Sequence, residues 1–219
     1  TWRANRMTAR QEVDGDKMDD LLAALDSLTI VGVRPKPDGL SLSLKSIGQG
    51  GVSITQSDVL SLQSRGFFFT QDSQLVSNEG ETQIRTEDGV VYTLRFGEVV
   101  FGTGDAISAG TEQSDIASGG GGENRYLFIT TEFDQKQFPE PRKPSNMGFQ
   151  ARPDSTWSAE DQRNADLFAD HQSWLRNVEK GQSTSVDLNT RFAKWYYVIS
   201  ANSFDRVHLK RRDIVVRKG

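Results

Sequence analysis

Few residues in this 219-residue chain have both the type and the spacing to do chemistry. Five carboxylates, Glu79, Glu81, Glu87, Asp88 and Glu98, fall in one stretch. Glycoside hydrolysis needs two such groups about 5–10 Å apart, one as acid and one as nucleophile or base. The chain holds 30 acidic residues, so solvated turns and strand faces produce such neighbours without any site. A second acidic run, Asp14-Gly15-Asp16-Lys17-Met18-Asp19-Asp20, suggests calcium. It misses the calcium-loop template: glycine is second, Met18 stands at a ligand position and no glutamate closes the loop. Acidic residues favoured at a helix N-terminus account for it.

His171 and His208 are the only histidines, and either could pair with an acid such as Asp170. His171 lies on the apolar face of a helical pattern and His208 beside Lys210, so both read as structural. No G-x-S-x-G turn is present for serine catalysis. There is no cysteine, which excludes disulfides, thiolate metal sites and cysteine nucleophiles. The glycine runs Gly48-Gln49-Gly50-Gly51 and Gly119 to Gly122 lack the lysine and following helix of a phosphate loop. No metal, cofactor or catalytic residue is therefore assigned.

Aromatic residues give a different kind of candidate. Trp195, Tyr196 and Tyr197, with Trp174, could form a platform for a sugar, a peptide or a base. An exposed Tyr196 is the first candidate for a binding surface, against the alternative that an aromatic strand is core. The basic group Lys210-Arg211-Arg212, with Arg217 and Lys218, could meet phosphates or an anionic membrane. In a chain of net charge -4 it reads instead as a solvated strand end, and general nucleic-acid binding is not expected.

The elements that must hold these residues alternate between helix and strand patterns. Thr1 to Met7 reads as an opening strand anchored by Trp2. A helix capped by Asp16 follows, with Met18, Leu21, Leu22, Leu25 and Leu28 on one stripe. Thr29 to Val33 is a strand stopped by Pro35, and Gln56 to Ser64 a short helix stopped by Gly66. Phe67-Phe68-Phe69 and Leu75-Val76 are strands turned at Asp72-Ser73. Glu81 to Phe101 carries the clearest signal, two alternating runs joined at Glu87-Asp88-Gly89 as a β-hairpin.

Residues 103–124 read as a flexible excursion rich in Gly and Ser, and 138–157 as a proline-rich irregular stretch. Between them Arg125 to Phe133 is a strand. Ser158 with Asp161 opens a helix with Phe168, His171, Leu175 and Val178 on one face, ended by Gly181. Ala193 to Ile199 and Phe204 to Val216 are the last strands. The whole predicts one α+β domain over 1–219: a mainly antiparallel twisted sheet, two longer helices packed on one face, and long irregular loops.

The order of these segments resembles a known family. Trp2-Arg3, LLAALDSL and IVGVRPKPDGL, followed by LVSNEGE, DGVVYTLRFGE, NRYLFITTEFD and FAKWYYVIS, are similar to the domain of unknown function 4340 family, in particular its planctomycete-type members. The resemblance implies soluble α+β domains behind an N-terminal transmembrane helix, beside ABC-type transport or gliding-motility components of the envelope. It brings no catalytic residues. No run in this sequence approaches the roughly 18–20 apolar residues that span a bilayer. A chain opening Thr1-Trp2-Arg3 is expected to be a piece of a longer protein. The expectation is a non-catalytic, extracytoplasmic binding or scaffold domain with protein partners. The alternative is a carbohydrate-binding or hydrolytic domain using the carboxylates and aromatics.

Overall fold

The structure, a computed structural model, describes residues 2, 4–38, 40, 55–71, 74–101 and 123–218. The Gly48–Gly51 loop, the Asp72-Ser73 turn and nearly all of the 103–124 excursion lie outside the described residues. The described chain is α+β. Five antiparallel strands form the main sheet in the order β2-β8-β7-β6-β5: β2 is Ile30–Pro35, β5 Glu81–Arg85, β6 Val90–Val100, β7 Asn124–Phe133 and β8 Trp195–Ile199. The residues after 157 thus supply a strand between β2 and β7, so the C-terminal third builds the same sheet as the N-terminal third.

The β5–β6 hairpin forms as its alternation predicts, with Ile84 opposite Tyr92 and Thr82 opposite Leu94. Gly89 takes φ +78° in the turn, the left-handed conformation that glycine adopts without a Cβ penalty. The Thr86 N–H donates to the Val90 carbonyl at 3.0 Å and closes the loop. β6 is buried along most of its length because both sheet faces are covered there.

On one face lie Tyr126, Phe128, Tyr196 and Val198, under helix α2 (Gln56–Gln63) and the small hairpin of β3 (Phe67–Phe69) and β4 (Leu75–Ser77), which packs Phe67 onto them. The other face carries Leu94, Phe96, Leu127 and Ile199. Helix α1 (Gly15–Asp26) covers these with Leu21, Ala24 and Leu25, and helix α4 (Ala201–Val207) with Phe204 and Val207. Helix α3 (Ala159–Ala193) lies along this second face as well, where Thr131 donates Oγ1 to the Ser185 carbonyl at 2.9 Å and Phe192 meets Tyr197. The two longer helices therefore share one face of the sheet. No described helix is long and apolar enough to cross a membrane.

Several local expectations are corrected. Residues 4–10 turn rather than form a strand, and the first strand is β1, Gln11–Val13. Arg6 has φ 57°, in the left-handed region and outside the extended backbone of a regular strand. The cap of α1 is Asp14, whose Oδ1 accepts the Lys17 N–H at 3.2 Å, and Asp16 lies in the first turn. Gly181 does not end α3. It sits mid-helix, where an added Cβ would strike the Phe133 ring and lie 2.6 Å from the Asp88 carbonyl. The span Phe204 to Val216 is not one strand but the end of α4, helix α5 (Arg211–Ile214) and the start of β9 (Val215–Arg217), which pairs with β1. Val207 and Phe204 are spaced by three, so they serve a helical stripe as readily as a strand.

Candidate functional site

The aromatic residues singled out from the sequence do not form a platform. Successive side chains of a strand point to opposite faces, and β8 divides them accordingly. Tyr196 is fully buried, its ring stacked on Phe67 at 6.1 Å and edge-on to Tyr126 at 6.2 Å. Tyr197 lies on the other face against Phe192. Trp195 is 37% exposed at the end of the strand, opposite Pro35. Trp174 is on α3, half-buried, with its Nε1–H donating to the Phe138 carbonyl at 2.7 Å. The four are parts of separate contacts, and Tyr196 is a core residue rather than a surface one.

Four of the five carboxylates of the meander are engaged structurally. Glu79 pairs with Arg125 and Glu81 with Arg95, each at 3.2 Å, and Glu98 accepts the Asn78 amide at 2.6 Å. Asp88 sits inside the hairpin turn, its Oδ1 accepting from Thr86, and Glu87 is exposed beside it. Among the described residues no group of three or more His, Asp or Glu converges as a metal site. The imidazole of His171 is 3.2 Å from Glu140 and tilted against Trp174. Hydrogen bonds from Lys143 and then His171 hold the Glu140 carboxyl below its usual range. His208 stacks on Phe204 at 4.7 Å. Both histidines serve packing.

The most unusual chemical environment is one that sequence reading missed. Lys36 follows β2 between Pro35 and Pro37 and continues its pairing, its N–H donating to the Lys194 carbonyl at 2.9 Å. That places its side chain in line with Arg34, on the face of Tyr196. Both are buried. The Lys36 ammonium lies 4.0 Å from the Phe128 ring centroid and 5.3 Å from that of Tyr196, and donates to the Phe192 carbonyl at 3.1 Å in the last turn of α3. Burial lowers its pKa to about 7.

Beside it, the Arg65 guanidinium covers Tyr196 at 4.8 Å and Tyr126 at 5.6 Å. Arg65 also donates to the Ser61 carbonyl at 2.8 Å, and the Ser61 hydroxyl meets the Tyr196 hydroxyl at 3.1 Å. Asp58 is buried at the start of α2. Desolvation would raise its carboxyl, but hydrogen bonds from Thr55 and the Leu40 backbone outweigh this and hold it low. An amine half-neutral near physiological pH can act as nucleophile or proton acceptor. Here it is committed to a carbonyl and two rings. The sequence signal was the alternation that puts Arg34 and Lys36 on one face, hidden because Arg-Pro-Lys-Pro reads as a loop; that it is the face of Tyr196 follows from the β2–β8 register.

The clearest outward-facing feature is the β3–β4 hairpin. Phe67 is fully buried, whereas Phe68 is 39% exposed and Phe69 and Val76 are each 37% exposed. Phe68 stands directly opposite Val76, so the two form one apolar pair on the outside of the ribbon. By contrast, the main-sheet edge strand β5 presents Glu81, Gln83 and Arg85. No known protein family, curated protein or solved structure matches the chain.

Proposed function

We propose that this is a non-catalytic binding or scaffold domain acting through protein contacts, with the β3–β4 hairpin as its contact surface. The observation that carries the reading is the exposed Phe68–Val76 pair on a ribbon whose inner residue, Phe67, is fixed in the core. An aromatic anchor on a rigid base loses little freedom on binding, which is the character of an interface hot spot. The carboxylate–arginine pairs of the meander favour this reading over the carbohydrate or hydrolytic alternative, because paired carboxylates are not poised for proton transfer. The resemblance of the chain's segments to envelope proteins supports an extracytoplasmic setting. There the domain would be anchored by a transmembrane helix outside this sequence and auxiliary to an ABC-type transport or gliding-type complex.

A photo-crosslinking residue placed at Phe68 in the native cell tests the surface. The expected result is one defined protein adduct, absent when the probe is at exposed Leu175 on α3 and lost on Val76→Asp. Uniform labelling from both positions, or none at Phe68, would overturn it.

A further inference from the structure

The two ends of the chain meet, and they bring like charges together. In the β1–β9 ribbon Gln11 pairs with Arg217 and Val13 with Val215, and the Lys218 N–H donates to the Arg10 carbonyl at 3.0 Å. From α5, Arg211 donates to the carbonyls of Asn5 and Arg6, tying the N-terminal turn to the same end. Arg6, Arg10, Lys210, Arg211, Arg212, Arg217 and Lys218 are all exposed. Among the described residues only Arg212 of these seven has an ion pair, with Asp213 at 3.7 Å.

Segments 4–13 and 208–218 hold just two acidic residues, Glu12 and Asp213. Outside these two segments the sequence holds 19 of its 26 basic and 28 of its 30 acidic residues, so the two joined chain ends form a basic pole in an otherwise acidic chain. The acidic first turn of α1 starts beyond the Val13 end of the ribbon, where the Asp14 N–H meets the Ile214 carbonyl. Exposed Val216 lies within the pole, and exposed Trp2 three residues before the Asn5 anchor.

We propose that this pole is a docking surface for an anionic phospholipid bilayer. Concentrated cations draw a surface to anionic headgroups, and Trp settles at the headgroup level. A flat bilayer needs only the exposed cations of the two chain ends, and the acidic first turn of α1, packed against α5, marks the edge of that surface. A nucleic acid long enough to bind tightly would run past that edge and be repelled. The inference stands apart from the hairpin's partner.

Vesicle flotation tests it, using phosphatidylcholine alone and phosphatidylcholine mixed with phosphatidylglycerol. The chain should float only with the phosphatidylglycerol vesicles and should be released by high salt. Arg212→Gln, Arg217→Gln and Lys218→Gln should each weaken binding about fivefold. Arg6 and Arg211 are left intact because Arg211 anchors the turn. Trp2→Ser should weaken binding while leaving the salt dependence unchanged. Equal flotation with both vesicles, flotation with neither, unchanged binding by a variant carrying Arg212→Gln, Arg217→Gln and Lys218→Gln together, or release from vesicles by an equimolar duplex oligonucleotide would each overturn the proposal.

Discussion

The side-chain amide of Asn189 takes the place of a missing strand at Thr131. Its Oδ1 accepts the Thr131 N–H at 2.8 Å and its Nδ2 donates to the Thr131 carbonyl at 2.6 Å. β8 pairs with β7 only over Arg125 to Leu127, so the far half of β7 would otherwise leave backbone groups unpaired and buried under α3. Asn189→Leu removes both partners and should cost about 2–4 kcal/mol, since each buried orphan costs about 1–3 kcal/mol. Asn189→Asp loses the donor and should also destabilise. Urea unfolding measures both, and a loss of under about 0.5 kcal/mol for the Leu variant would show that Thr131 finds other partners.

Gly181 gives an inverted expectation for a helix interior. Replacing a mid-helix glycine by alanine ordinarily stabilises by about 1 kcal/mol. Here the new Cβ would run into the Phe133 ring and the Asp88 carbonyl, and α3 would have to lift off the hairpin turn. Gly181→Ala should therefore be net destabilising by about 1–3 kcal/mol. A higher melting temperature for this variant would contradict the close approach.

Tyr196 and Trp195 are neighbours on opposite faces of β8. Tyr196→Phe keeps the ring stack but removes the hydroxyl from Ser61, for a loss of about 1 kcal/mol. Trp195→Ser, at a strand end where the residue is 37% exposed and the rest of it covered, should cost about 1–3 kcal/mol through lost apolar contact alone. Equal melting temperatures for Tyr196→Phe and the parent would remove the hydroxyl pair from the core.

These residues also show what the sequence made legible. Alternation, an Asp-Gly turn and the Ser158–Asp161 capping box are local, and the elements they mark stand where they were expected. The role of Gly181 is not legible, because a helix-ending glycine and a glycine making room for Phe133 look alike without the neighbour. The span after Phe204 is ambiguous, because spacings of three suit a helix while its Val run suits a strand. The aromatic run at Trp195 was legible as a strand, but which side faces the core depends on partners more than 60 residues away in sequence, such as Phe67 and Phe128. The environment of Lys36 has the same origin, since its ring and carbonyl partners, Phe128 and Phe192, are brought to it only by the completed sheet.

That environment makes the domain's stability depend on pH in an unusual direction. Burial lowers the Lys36 amine from 10.5 to about 7, so between these values the unfolded chain binds a proton that the folded chain does not. Stability should therefore rise with pH from about 7 to about 10, where the hydroxyls of Tyr196 and Tyr197, raised by burial, begin to oppose it, and be lowest below 7, where folding forces a charge into the core. The ring of Phe128 and the Phe192 carbonyl favour the ammonium and reduce the penalty without removing it. Lys36→Met keeps the shape of the stem and removes the charge. It should be more stable than the parent below pH 7 by on the order of 3 kcal/mol, with the gap closing towards pH 10.5. Urea unfolding of both proteins across this interval decides the matter. A parent whose stability is flat or falling there, or a Met variant with the same slope, would mean that Lys36 keeps its proton in the folded state.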